Sequence, residues 1–208
     1  MKLSSLAKAL LASSMLFSAV NASAADPITV SGSAAFTSDY LFRGVSQTSN
    51  NAAVQGAMTF THESGAYFSM WGSSIASGVG GLELDTLLGY SGKAGEVAYD
   101  VGVMRYNYPG LNDNTSGLTN AMTNMPLDAD YNEVYASIST MGAKVGFNYS
   151  PDYYLESDKF LYIYASYGTE VAGVGVSASV GMNKFDSAAM MSQALGTTGR
   201  SEERRVGK

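Results

Sequence analysis

The chain has 208 residues, 46% hydrophobic and only 14% charged, with 23 glycines, 14 tyrosines, no cysteine and a formal net charge of −6. The lack of cysteine excludes a disulfide framework and thiolate metal sites, and the acidic balance argues against nucleic acid, whose phosphates need a basic face. A mean hydropathy of +0.00 fits alternating strands better than helical membrane spans.

The two ends are set apart from the rest. Lys2 and Lys8 give a basic start, Ala9 to Val20 is an apolar run, and Ala22-Ser23-Ala24 is a small-residue cleavage site. The run is too short to span about 30 Å of hydrocarbon as a helix. Residues 1–24 therefore read as an export signal cleaved before Ala25, and no cysteine follows to take a lipid anchor. At the far end Arg200 to Lys208, RSEERRVGK, breaks every earlier pattern. It matches the translation of a sequencing-library adapter and reads as an artefact tail, with the natural end lost at about Gly199. Setting aside two leader bases, and four bases and two acids in the tail, takes the charge from −6 to −10.

Between these ends, residues 25–199 alternate with the period of two expected of strands. After Ile28 the first strand runs into Phe36–Gln47, FTSDYLFRGVSQ. There Phe36, Ser38, Tyr40 and Phe42 are expected on one face and Thr37, Asp39, Leu41 and Arg43 on the other. Further strands are expected at Ala52–Thr61, Ala66–Ser73, Leu82–Ser91, Glu96–Tyr106, Tyr131–Thr140, Ala143–Ser150, Phe160–Gly168 and Val174–Met182. The remainder to Gly199 reads as a loop or short helix. In the clearest strand Leu82, Leu84, Thr86, Leu88 and Tyr90 oppose Glu83, Asp85, Leu87 and Gly89. Short turns at 62–65, 92–95, 141–142 and about 169–173 alternate with long loops at 44–51, 74–81, 107–130 and 151–159. All four prolines lie outside the strands, as a hydrogen-bonded ladder requires. The expectation is an all-β, antiparallel up-and-down meander: an incomplete outer-membrane β-barrel with about nine strands present, its closing strands missing and two edges unpaired.

Three segments, TSDYLFRGVSQT, AVQGAMTFTHESGAYFSMWGS and LELDTLLGYSG, resemble the TorF family of porin-like exported proteins. The resemblance runs from Ser31 to about Met182, and Asp39-Tyr40 with Phe42-Arg43-Gly44 is its most specific part. It implies an outer-membrane barrel with a channel role and about twelve strands in the intact protein. The chain departs from that pattern in lacking the closing strands and terminal aromatic residue.

No constellation of catalytic chemistry stands out. His62 is the only histidine, sits in a turn beside Glu63 and reads as a surface residue. No G-x-S-x-G elbow or H-E-x-x-H helix occurs. Glu83 and Asp85 share a face as a hydrolase pair would, but nothing places a substrate there, and they read as acids of a wet lumen. Asn112–Gly117 lacks the bidentate glutamate of a calcium loop, and the glycines of Ser77–Gly81 precede a strand, not a phosphate-binding helix. Tyr40, Tyr90, Tyr106, Tyr108, Tyr131 and Tyr149 near strand ends read as an interfacial aromatic girdle.

If Leu84, Leu88, Val101 and Val103 face lipid, the lumen receives Asp39, Arg43, Glu83, Asp85, Asp100, Glu133 and Lys144, with Arg43 paired to Asp39. Acids in the outer loops (Asp113, Asp128, Asp130, Asp152 and Asp158) add to the excess. Fixed acids along a narrow path favour cations, less so as salt screens them. The sequence thus points to a weakly cation-preferring passive channel for small solutes or ions. The alternative is a non-conducting barrel that acts through its outer loops. No enzyme activity, cofactor, metal or nucleic-acid partner is expected; the partners are outer-membrane lipid, the export translocon and the barrel-assembly machinery.

Overall fold

The computed structural model describes residues 20–23, 27–111 and 127–195. The tail from Arg200, the Asn112–Gly117 segment, Asp113 and most of the expected signal lie outside them. Strands β1 (Val20–Ser23), β2 (Ile28–Thr37), β3 (Leu41–Phe42), β4 (Val45–Ser46), β5 (Ala53–His62), β6 (Ala66–Ser74), β7 (Leu82–Ala94), β8 (Val97–Asn107), β9 (Tyr131–Thr140), β10 (Ala143–Ser150), β11 (Phe160–Val171) and β12 (Val174–Phe185) precede helix α1 (Ala188–Leu195). Ten strands form one antiparallel meander in the order β1-β2-β5-β6-β7-β8-β9-β10-β11-β12, while β3 and β4 pair only with each other. The nine long strands are those expected, lengthened by a few residues where β7, β11 and β12 run further into their turns. β1, from within the expected signal, lies against β2 with Val20 opposite Gly32. The sheet is not closed into a barrel.

The sheet is nonetheless strongly curved. From β2 to β12 there are eight strand spacings, roughly 38 Å in a flat sheet. Yet the Asn183 side chain of β12 donates to the carbonyl of Arg43 at 3.4 Å, and Arg43 lies only six residues beyond the end of β2. Six residues reach at most about 20 Å, so the far wall must curl back over the hairpin. The concave face this creates is polar and tyrosine-rich. The convex face carries the large apolar side chains, among them Leu84, Leu88, Val101, Val103, Ile138 and Val180, all exposed.

Glycines make room for the tyrosines on the concave side. The Tyr67 ring lies over Gly89, Tyr135 over Gly102, Tyr164 over Gly146 and Tyr162 over Gly181, each within 3 Å of where a Cβ would stand. A bulky ring laid across a bare backbone keeps the inner wall thin, so the sheet can curve without crowding its own side chains.

The strand expected to run from Ile28 through Phe36 to Arg43 stops at Thr37, and this is the main correction to the sequence reading. β2 stops at Thr37, whose hydroxyl donates to the Asp39 carbonyl. The chain then turns into the concavity, so Tyr40 is buried and Phe42 packs on the core, while Phe36 and Leu41 remain exposed. The turn between β3 and β4 holds Arg43 at φ 48° and Gly44 at φ 85°. Positive φ at both central residues is the two-residue hairpin geometry that matches strand twist. Glycine adopts it freely, but for Arg43 it costs roughly 1–2 kcal/mol.

At Gly102 an added Cβ would stand 2.5 Å from the Leu88 carbonyl oxygen and 2.6 Å from the Tyr135 hydroxyl, whereas at Gly56 the nearest atom is 3.7 Å away. Gly102→Ala is expected to destabilise the fold by about 1–3 kcal/mol, and Gly56→Ala to stay within about 0.5 kcal/mol. Urea unfolding of the two variants checks this; equal midpoints would refute the packing account.

Candidate functional site

The long-loop end of the concavity is filled, and Arg43 is at its centre. Its Nη1 and Nη2 donate to Glu133 Oε1 and Oε2 at 2.7 and 2.6 Å, with the two side chains only 8% and 0% exposed. Glu133 Oε2 also accepts from Asn148 Nδ2 at 3.0 Å and Tyr106 OH at 3.2 Å. The guanidinium lies 4.6, 4.8 and 5.2 Å from the ring centroids of Phe42, Tyr162 and Phe160. A planar, always-charged fork suits this double role of bidentate pairing and ring stacking.

Asp39 does not partner Arg43 as expected. It braces the hairpin instead: Ser46 Oγ and Thr48 Oγ1 donate to its Oδ1 at 2.6 and 2.7 Å, and the Tyr40 amide donates to Thr48 Oγ1. The short carboxylate of Asp39 satisfies local loop donors, which leaves the guanidinium free to cross the interior.

Around the ion pair is a tyrosine core. Tyr106 stacks on Tyr131 with ring centroids 4.4 Å apart, Tyr131 meets Tyr153 edge-on at 4.7 Å, and Tyr153 stacks on Phe160 at 3.9 Å. Tyr40 meets Trp71 at 5.2 Å. Tyr40, Tyr106, Tyr108 and Tyr131 are therefore interior residues and do not form a girdle; of the six tyrosines expected there, only Tyr90 and Tyr149 take the outward phase of their strands. The expectation failed because it was drawn from nearness to strand ends and not from phase: Tyr106 and Tyr131 share the inward phase of Asp100 and Glu133, while Tyr40 and Tyr108 lie outside the strands and close over the interior.

The remaining sequence-derived residues all lie on the concave side. Glu83 is fully buried beneath Tyr108, whose hydroxyl donates to Glu83 Oε1 at 3.0 Å. Asp85 follows it on the same face of β7. Nearer the short turns, the Tyr67 hydroxyl donates to Asp100 Oδ1 at 2.7 Å and bonds Tyr135. Lys144 Nζ lies 5.9 Å from the Tyr164 ring centroid. Outside, Arg105 pairs with Asp130 at 3.1 Å. Sequence reasoning missed Tyr67, Tyr135, Asn148, Tyr162 and Tyr164. Their signal was present: Tyr135 is two residues from Glu133, and Phe160, Tyr162 and Tyr164 repeat with period two. Among the described residues no group of three or more His, Cys, Asp or Glu is arranged to hold a metal ion.

A family model described as "Bacterial protein of unknown function (Gcw_chp)" matches residues 21–196. No curated protein and no solved structure matches the chain.

Two outcomes are expected. Arg43→Ala strands the Glu133 carboxylate and should cost about 3–5 kcal/mol, whereas replacing both residues by apolar ones of similar volume should cost much less. A double-mutant cycle in urea measures the coupling, and additive costs would contradict the pairing. Burial also pushes the Tyr153 and Tyr154 phenols in the 151–159 loop up to about 12, from about 10 in the unfolded chain. Their neutral forms thus contribute stability that is complete below about pH 10 and lost as pH rises through about 12. Alkaline titration followed by tyrosinate absorbance should show ionisation of these two rings coinciding with unfolding. Ionisation near pH 10 in the folded chain would place them in water.

Proposed function

The chain belongs to the Gcw_chp family of bacterial proteins of unknown function, a membership that carries no activity, and we propose one from the geometry. The protein is the wall of an outer-membrane β-barrel that gives small solutes or ions a narrow, passive passage with a weak preference for cations. The observation that carries this reading is the inversion of the sheet, with exposed valine, leucine and isoleucine on the convex face and carboxylates and phenols on the concave one. An apolar surface this wide is costly in water and is what hydrocarbon requires. The alternation of short turns with long loops supports the reading. So do the resemblance to the TorF family and the export signal of residues 1–24, which would hand the chain to the translocon and the barrel-assembly machinery. In lipid no edge remains unpaired, and removal of residues 1–24 takes β1 with it, so the reading requires the edges at β2 and β12 to be joined by further pairing.

Selectivity follows from the interior charges. Glu83, Asp85, Asp100 and Glu133 line the concave side against Arg43 and Lys144, and Arg43 is already neutralised by Glu133. The net field is negative, modest and screened by salt. A second reading, a non-conducting barrel working through its outer loops, is favoured by one observation: the long-loop end is packed with Tyr106, Tyr108, Tyr131 and Phe160, each 3% exposed or less.

Planar-bilayer recording on the folded protein separates the two. The expected result is a small conductance whose zero-current potential has the cation-selective sign and shrinks at high salt. Arg43→Ala, which unpins the hairpin, should raise the conductance. An anion-selective sign refutes the channel as described. Silence from protein that shows the heat-dependent gel shift of a folded barrel establishes the non-conducting reading.

A further inference from the structure

Glu83 and Asp85 are successive concave-facing residues of β7, 0% and 8% exposed. Tyr108 occupies Glu83 Oε1 at 3.0 Å, and the Tyr40 phenol lies beside the same carboxylate. Glu83 Oε2 and Asp85 Oδ1, both buried, accept no hydrogen bond. Among the described residues the ion pairs are Arg43–Glu133 and Arg105–Asp130, so Glu133 is compensated and these two acids are not. Two desolvated carboxylates with an orphaned oxygen each are among the costliest arrangements a core can hold, unless a proton neutralises one of them or a cation sits between them.

We propose that Glu83 Oε2 and Asp85 Oδ1, with the phenol oxygens of Tyr40 and Tyr108, bind one small monovalent cation of the sodium class. The donors are all hard oxygens, which excludes the metals that seek thiolate or imidazole. Calcium takes about six to eight oxygens and is usually held by several carboxylates. Two acids and two phenols fall short of that, consistent with the lack of any three-acid cluster among the described residues. A monovalent ion needs fewer ligands and leaves more readily, as a subsite on a conduction path must allow. The proposal rests on the channel reading for the role of the site, which sits just beneath the Arg43 hairpin, but its occupancy does not require conduction.

The test is therefore a binding measurement. Thermal unfolding of the folded protein in detergent is followed in choline chloride, with sodium chloride replacing it at constant ionic strength and pH. A ligand that binds only the folded state raises the midpoint with concentration. At ten times its dissociation constant, sodium is expected to raise the midpoint by roughly 3–6 °C. The Glu83→Gln/Asp85→Asn double variant should lose this response, and Asp100→Asn should keep it. Should the double variant not fold, Asp85→Asn alone and the wild-type titration decide the matter. Identical midpoints in sodium and choline overturn the proposal. So does a response to calcium but not sodium, a response that survives in the variants, or one that tracks pH alone, which would mean that a shared proton holds the pair. A sodium response in protein that is silent in bilayers leaves the site standing and removes only the channel.

Discussion

The guanidinium of Arg43 meets the carboxylate of Glu133 across the hollow of a sheet whose inner wall is mostly polar. In a soluble β-sandwich the inward faces are apolar, and burial alone draws the layers together. Here the apolar residues point outward, so that force cannot curl the sheet. Twist, the bare backbone at Gly89, Gly102, Gly146 and Gly181, and the contacts of the β3–β4 hairpin do so instead. The pair is buried, bidentate and flanked by three aromatic rings, and its worth lies less in net stability than in specifying one arrangement. The left-handed backbone at Arg43 fits this view. A locally unfavourable conformation persists where surrounding contacts over-determine it, and here those contacts come from β8, β9, β10, β11 and β12.

The interior is graded along its length. At the long-loop end tyrosines stack around the ion pair and exclude water, and Gly80 and Gly110 bring the 74–81 and 107–111 loops into backbone contact above them. Toward the short turns the wall is lined by Asp100, Tyr67, Tyr135 and Lys144, whose hydroxyls and charges are only partly covered. In the proposed channel, a solute approaching from the turn side would first meet this partly exposed, amphoteric wall and then the packed end bearing two uncompensated acids, an order that would select by charge before size.

Most of the sheet was legible in the sequence because strand alternation is a local signal. β9 and β10 fall at Tyr131–Thr140 and Ala143–Ser150 as read, and Glu83, Asp85, Asp100, Glu133 and Lys144 all take the concave side. The hairpin was not legible in the same way. Phe36 to Arg43 alternates well enough to pass for strand, and what breaks it is the demand of Glu133, ninety residues away. The Arg43-Gly44 pair between apolar neighbours was the available hint, since glycine at the second position of a two-residue turn marks a hairpin. Tyr106 and Tyr131 were misplaced although alternation puts them in phase with Asp100 and Glu133, because their nearness to strand ends was read as a girdle. Tyr108 lies just past β8, where alternation gives no phase and only the closing of the loops decides its side.

Every long strand pairs with its neighbour in sequence, so the meander can assemble hairpin by hairpin from contacts close along the chain. Such zippering checks each ladder only against the next one, and a slip of a single residue turns a whole strand over. Arg43 and Glu133 are separated by β5, β6, β7 and β8. A one-residue slip in β9 points Glu133 away from the interior, and a slip in any intervening ladder shifts it along the wall from the guanidinium. The ion pair therefore acts as a parity check on five consecutive pairings: it closes only when all of them are correct.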